Sequence, residues 1–166
     1  KEKKKITLSE DYIKSRIYIE NGEKIKAKNI LEDIVFENDE TYSTLSLFLI
    51  LNQNLIKDYN ELKILFNHTL ENNKFEKELK NLLIFKKALF DSNFVNESEL
   101  LESVKPIINE DTLWKPHALL LLGDYFFSQK EYFKAKEFYL QILTMKNLHK
   151  DLYEKARLQL SLILNG

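Results

Sequence analysis

Apolar residues recur at intervals of three and four along almost the whole chain, which is the spacing of one face of an α-helix. The apolar segments run for about 12 to 18 residues, an ordinary helix length, and short polar stretches separate them. Those stretches are ENGE at 20–23, ENDET at 37–41, NLIKD at 54–58, ENNKF at 71–75, DSNFVNES at 91–98, NEDT at 109–112, SQKE at 128–131 and MKNLHKD at 145–151. The pattern predicts an all-α protein of nine helices.

Several polar stretches carry residues that favour a helix start or stop. Asn96 or Ser98, Thr41 and Asp151 each precede an apolar segment and can accept a hydrogen bond from the first turn, so each is predicted as an N-cap. Pro106 lacks an amide hydrogen, and we expect it to end or kink its helix near residue 104 or 105.

A train of short helices forms either a bundle or a solenoid, and internal repetition distinguishes the two. An apolar or small residue lies near the start of every second predicted helix, at Ala27, Leu62, Leu101 and Ala135. The intervals are 35, 39 and 34 residues, so the sequence predicts a repeated helical hairpin.

The last copy has a distinctive set of residues. They are Leu119, Leu122, Gly123, Phe126, Tyr132, Ala135, Tyr139 and Ile142. In spacing and type this set resembles the tetratricopeptide repeat, in which Gly and Ala allow two helix backbones to approach and aromatic side chains fill the space around them. We therefore expect Gly123 and Ala135 to face each other, with Phe126 and Tyr139 packed beside them.

The other copies are less regular. The first retains Tyr18, Gly22, Ala27, Leu31 and Ile34. The second and third have larger residues at the Gly and Ala positions, namely Ile50 with Leu62 and Leu89 with Leu101, which should push the paired helices apart. Residues 151–166 follow without a partner helix. The resemblance implies a right-handed superhelix of about four tetratricopeptide-like hairpins and a C-terminal capping helix.

Composition narrows the class further. Three Gly and two Pro among 166 residues argue against a turn-rich all-β fold, and a net charge of −1 argues against nucleic-acid binding. The chain has no cysteine and no apolar run long enough to cross a bilayer. We predict a Lys-rich segment at 1–8 followed by one helical domain at 9–166, with KEKKK as a juxtamembrane segment, a nucleic-acid arm or a solvated end.

The residues that could carry chemistry are few. His68, His117 and His149 lie on separate predicted elements without metal-ligand spacing, so no metal or other cofactor is expected. Asp124 stands alone in an apolar run, where a desolvated carboxyl can act as an acid or base, but its position on the repeat favours an acceptor for a bound peptide or a neighbouring Lys. We expect no enzymatic activity.

In tetratricopeptide arrays the first helix of each hairpin lines a concave surface. The resemblance places partner-binding side chains at Tyr12, Arg16, Leu47, Leu51, Lys86, Phe90, His117, Asp124 and Phe127. A mixture of aromatic, aliphatic and charged groups suits an extended polypeptide, whereas packing against a neighbouring repeat is the alternative for Leu47, Leu51 and Phe90.

The whole chain, and the last repeat in particular, resembles the periplasmic domain of the ancillary subunit family of the proteobacterial Sec translocon. The resemblance implies a noncatalytic adaptor at the periplasmic face of the inner membrane, anchored by a segment upstream of this chain. Its implied partners are the SecYEG channel, periplasmic chaperones and secreted clients. The alternatives are a scaffold of an envelope assembly or lipoprotein complex and a cytoplasmic tetratricopeptide adaptor.

Overall fold

A computed structural model describes residues 2–165, and within that range it contains nine α-helices and no β-strand. The helices are α1 (Glu2–Glu20), α2 (Lys24–Phe36), α3 (Glu40–Asn52), α4 (Tyr59–Asn72), α5 (Lys77–Asp91), α6 (Glu97–Ile108), α7 (Lys115–Ser128), α8 (Tyr132–Leu143) and α9 (Lys150–Asn165). The prediction of an all-α chain of nine helices is confirmed for these residues. No helix among them is both long and apolar enough to cross a membrane.

Three of the helices, α3, α4 and α6, begin after a residue whose side chain accepts hydrogen bonds from the first turn. Asn96 accepts from the Glu99 amide at 2.9 Å, and the Glu99 carboxylate accepts from the Asn96 amide, which together form a capping box. The predictions of Thr41 and Asp151 as caps are wrong. Asp39 caps α3 and accepts from the Thr41 amide, while Asp151 lies within the first turn of α9.

Pro106 does not stop its helix where the sequence predicted. The helix α6 continues to Ile108, two residues beyond the proline. Pro106 has no amide hydrogen, so α6 lacks one backbone hydrogen bond there. Because Pro106 lies in the last turn, the missing bond is close to the helix end, where backbone hydrogen bonding is incomplete in any helix.

The chain divides between Phe75 and Glu76 into two compact units, α1–α4 and α5–α9. Within each unit, the described part of each helix packs only against helices one or two places away in the chain. The molecule is thus a repeat-like succession of helices. Residues of the Lys-rich segment from Glu2 onward belong to α1, and the Lys4 amine lies 2.8 Å from the Glu37 carboxylate of the same unit.

All four helices, α1 to α4, contribute buried side chains to the core of the first unit. Ala27, Leu31 and Ile34 on α2 are buried, as is Ser15 on α1. Gly22 does not lie in the helix contact, although the repeat pattern included it. With a φ of +78° it forms the turn between α1 and α2, where a left-handed conformation favours glycine.

The core of the second unit is tightest between α7 and α8. A Cβ built on Gly123 would lie 2.5 Å from Cε1 of Tyr139, so only glycine leaves room for that buried ring. Phe126 stacks on Phe138 with 5.6 Å between the ring centroids. Most of the predicted repeat positions are buried, namely Ala27, Leu119, Leu122, Gly123, Phe126, Ala135 and Tyr139. Tyr132, which belongs to the set of the last copy, is exposed instead.

In the third predicted hairpin, the buried positions lie one residue earlier in the chain than the repeat spacing predicts. Leu89 is exposed and Leu101 is half-buried, whereas the neighbouring Ala88 and Leu100 are fully buried in one apolar cluster. The small residue of this hairpin is therefore Ala88. Larger residues were expected to separate the two helices of the second hairpin, α3 and α4. Their backbones do approach over only a few residues, whereas those of α7 and α8 approach over most of their length.

Candidate functional site

One face of α7 carries three of the predicted partner-binding residues. His117, Asp124 and Phe127 are separated by seven and three residues, so they lie on the same side of the helix. Asp124 is exposed, and the other two are half-buried. This row of side chains, called the α7 face below, is the most extended group of predicted contact residues that a single helix presents.

His117 lies in an aromatic cluster at the start of α7. Its ring centroid is 5.0 Å from that of Trp114 and 5.7 Å from that of Phe85 on α5, and the Phe85 and Trp114 rings stack at 5.8 Å. Burial lowers the pKa of His117; a hydrogen bond with the Leu113 backbone opposes this shift, and the charges of His149 and Lys155 reinforce it. Within residues 2–165, the buried Nδ1 atom has no hydrogen-bond partner.

Asp124 is held by the core residue beneath it. The Tyr139 hydroxyl donates a hydrogen bond of 2.7 Å to its carboxylate. Burial raises the pKa of Asp124, and the Tyr139 hydrogen bond and the Lys155 charge oppose that rise. One carboxylate oxygen therefore has a structural partner, while the residue as a whole stays exposed to solvent. Such a group can accept one further hydrogen bond without reorganising.

Phe127 and the α5 residues add aromatic surface. The Phe127 ring meets the Tyr132 ring edge to face, with centroids 5.4 Å apart. On α5, Lys86 and Phe90 are half-buried, and the Phe90 ring lies 5.7 Å from that of Phe94. These side chains are partly accessible rather than enclosed in the core, as a contact surface requires.

The predicted residues of the first unit differ among themselves. Tyr12 is half-buried, and its ring centroid lies 6.1 Å from that of Tyr42 on α3. Arg16 is exposed and Leu51 is half-buried. Leu47 is fully buried, so its side chain contacts the core of the unit and has no surface to offer a partner. Full burial favours the packing alternative for this residue.

A groove next to the α7 face could take part of a ligand. It has a volume of about 530 Å³ and lies between the start of α7 and the α8–α9 loop, where His117, Pro116 and His149 contribute to its lining. Within residues 2–165, no three His, Asp or Glu side chains are arranged to bind a metal ion. The third histidine, His68, instead hydrogen-bonds Asn38 at 2.7 Å in the first unit.

Sequence reasoning missed three members of this surface. Phe85 and Trp114 flank His117, and Lys155 acts electrostatically on both His117 and Asp124 from α9. Trp114 is the only tryptophan in the chain and immediately precedes α7, which is a signal that could have identified it. Lys155 could not have been identified in this way, because its proximity to α7 depends on how α9 packs.

Comparisons with protein-family models, with curated proteins and with solved structures found no match to this chain. The class that the fold defines is therefore that of an all-α, repeat-like helical protein.

Proposed function

We propose that this chain is a noncatalytic protein-interaction domain that binds a polypeptide along the α7 face. The observation that carries the proposal is the composition of that face: aromatic rings around His117 and Phe127, with a single carboxylate between them. Aromatic anchors with isolated polar groups are typical of protein-binding surfaces. Asp124 is already bound by the Tyr139 hydroxyl, which favours a positioning role for it over acid or base catalysis.

The proposed architecture is a right-handed superhelix of about four tetratricopeptide-like hairpins, with α9 packed on the last of them. Support comes from the glycine-mediated contact between α7 and α8 and from packing that is confined to neighbouring helices. In such an array the α7 face belongs to the concave surface, where an extended chain can contact successive repeats.

The proposed setting is the periplasmic face of the bacterial inner membrane, as part of an ancillary subunit of the Sec translocon. Its partners there would be the SecYEG channel, periplasmic chaperones or secreted clients. This part of the proposal rests on the sequence resemblance of the last repeat and of the overall plan of hairpins.

Site-specific photo-crosslinking in cells tests the function. A photoreactive amino acid at Phe127 or Phe90 should crosslink to a Sec component, a chaperone or a secreted client. The same amino acid at Glu102, which is exposed on α6, should not crosslink to it. In the Phe90 variant, adding His117→Ala should weaken the crosslink severalfold, because the substitution removes one member of the aromatic cluster.

The outcomes separate the alternatives. Crosslinks to an outer-membrane assembly or to a cytoplasmic protein would replace the Sec assignment with the corresponding scaffold, and the interaction function would stand. If Phe90 and Phe127 captured nothing beyond what Glu102 captures, the α7 face would not be a binding surface.

A further inference from the structure

The beginning and the end of the chain contain the same arrangement of helices. Ala135 on α8 lies 108 residues after Ala27 on α2, and Gly123 on α7 lies 108 residues after Ser15 on α1; all four residues are buried. The turns also match, with positive φ at Gly22 (+78°) and at Lys130 (+63°). The hairpin α7–α8 is therefore a structural counterpart of α1–α2.

The match extends to the following helix. Asn38 before α3 and Asn147 before α9 both adopt a left-handed conformation, with φ of +57° and +56°. As α3 packs on α2 and α1, so α9 packs on α8 and α7. The first unit then continues with α4, whereas in the second unit no described helix follows α9.

In the first unit, α4 covers the outer side of α2. The Lys28 amine lies 2.5 Å from the Glu61 carboxylate near the start of α4. Further along, the ring centroids of Phe36 and His68 are 4.7 Å apart, and His68 Nε2 is 2.7 Å from Oδ1 of Asn38. These contacts place α4 parallel to α2, with its acidic first turn against a lysine.

The corresponding side of α8 is open. Lys136 occupies the position of Lys28, and within residues 2–165 it makes no ion pair. Leu140 occupies the position of Glu32 and exposes 40% of its surface. Val35 is fully buried, whereas its counterpart Leu143 is only half-buried. An apolar strip with one cation at its start thus lies where the first unit has a helix.

The adjacent side of α9 is apolar as well. Tyr153 and Leu164 are eleven residues apart on one side of the helix, next to the side on which Leu152 and Ala156 are buried, and they are 40% and 62% exposed. The residue of α3 that corresponds to Tyr153 is Thr44, which is only 5% exposed. The side of α8 and α9 that corresponds to the α4-covered side of α2 and α3 is called the α8–α9 groove below, and its residues are Lys136, Leu140, Leu143, Tyr153 and Leu164.

We propose that the α8–α9 groove binds one amphipathic helix of a partner protein, in the place that α4 occupies in the first unit. The partner helix carries an acidic residue in its first turn, which pairs with Lys136. Its apolar side chains follow in the spacing of Leu62, Leu65 and Phe66, the buried residues of α4. The groove is separate from the α7 face, and the inference rests on the proposed function only in treating the chain as a protein-binding domain.

The test uses the full chain with a second copy of residues 58–73 joined after Gly166 through a flexible Gly-Ser linker, which gives the added helix a high effective concentration. Hydrogen exchange is measured along α8 and α9. We expect amide protection in both helices to rise at least tenfold relative to a chain carrying a scrambled copy. Lys136→Glu should remove most of that gain, and Glu61→Lys in the added copy should restore it in the Lys136→Glu chain.

The charge exchange keeps the test independent of misfolding, since a damaged fold would not be rescued by a second charge change. Lys28→Glu serves as the matched control in the first unit, and it should leave the gain in α8 and α9 unchanged. The proposal is overturned if the scrambled copy protects equally well, if no gain appears, or if Lys28→Glu removes the gain.

Two further results bear on the occupant. If the unmodified chain sediments as a dimer that Lys136→Glu dissociates, the groove binds a second copy of this chain, and the partner-helix proposal fails. His117→Ala should have no effect on the added helix, so a failure at the groove and a failure of the α7 face remain distinguishable.

Discussion

At the residue scale, the contact between Gly123 and Tyr139 connects the sequence pattern to the packing of α7 and α8. Glycine inside a helix costs about 1 kcal/mol relative to alanine, so a packing reason was expected for Gly123. The structure supplies it, because a Cβ there would overlap the edge of the Tyr139 ring, whose hydroxyl is fixed by Asp124.

Gly123→Ala should therefore destabilise the second unit, although alanine is the better helix former. Overpacking of this kind costs about 1–3 kcal/mol, which outweighs the gain in helix propensity. Trp114 fluorescence during denaturant unfolding measures the change. Gln141→Ala, at an exposed position of α8, is the control and should have almost no effect. Adding Tyr139→Leu should reduce the penalty of the alanine, and equal penalties in both backgrounds would contradict the explanation.

Glu32 is a second residue whose behaviour depends on packing. Burial, together with its hydrogen bond to Glu61, raises the pKa of Glu32 from 4.5 to about 7, while the nearby Lys28 opposes the shift. The Glu32 side chain is only 22% exposed, and its burial disfavours the charged carboxylate. Because the pKa is higher in the native state than in the unfolded chain, the native state binds the proton more tightly.

The sign of the pH dependence follows from that difference. Below pH 4.5 Glu32 is protonated in both the native and the unfolded state, so it does not reduce the free energy of unfolding. As the pH rises through 7, Glu32 becomes charged in the native state too, and the loss of stability becomes complete. Glu32→Gln should stabilise the first unit by about 1–2 kcal/mol at pH 8 and leave it unchanged at pH 4. Native-state hydrogen exchange in α2 measures this, with the exposed Glu20→Gln as control. A gain of equal size at both pH values would exclude titration of Glu32 as the cause.

At the scale of elements, local hydrogen-bonding chemistry decides where the helices begin. The sequence left Asn96 and Ser98 as alternatives for the cap of α6, and the structure selects Asn96, since its side chain reaches the Glu99 amide. The error at Thr41 has the same origin: Asp39 and Thr41 compete for one capping role, and backbone geometry selects Asp39. Asp151 instead lies inside the first turn of α9.

Asn96→Ala should cost about 1 kcal/mol of stability, because it removes the acceptor of the capping box. Ser98→Ala is the matched control two residues away, and it should change stability by only a few tenths of that amount. Chemical denaturation followed by far-UV circular dichroism compares the two variants. If Ser98→Ala were the more damaging substitution, the assignment of Asn96 as the cap would be wrong.

The third hairpin shows what periodicity cannot decide at this scale. Leu89 and Leu101 are separated by the same number of residues as Ala88 and Leu100, and all four lie in apolar stretches of the sequence. The two pairs therefore fit the repeat spacing equally well. The structure buries Ala88 and Leu100, because the small Ala88 side chain fits into the apolar cluster with Val104. A run of similar apolar residues predicts a helix but leaves its rotation undetermined.

At the scale of the whole molecule, contacts are short in sequence. Each described helix contacts only those one or two places away, so closing long loops is not required for folding. Proteins dominated by such local contacts fold within microseconds to milliseconds.

The main refolding phase of this chain should therefore be complete within milliseconds. Stopped-flow circular dichroism follows the helices of the whole chain, and Trp114 fluorescence follows the second unit. A minor slow phase from the two prolines is compatible with this expectation, and a prolyl isomerase should accelerate it. A main phase of seconds that the isomerase does not accelerate would contradict the local-contact explanation.

The amino-acid sequence by itself determined the all-α class, the number of helices in the described chain and the close approach at Gly123, because these depend on spacing and on residue size within one or two helices. Only the tertiary structure decided that Leu47 is buried, that Trp114 and Lys155 lie near His117, and that Leu140, Tyr153 and Leu164 are exposed on α8 and α9. These features depend on how neighbouring helices rotate and pack against one another, and a periodic pattern leaves several rotations equally compatible.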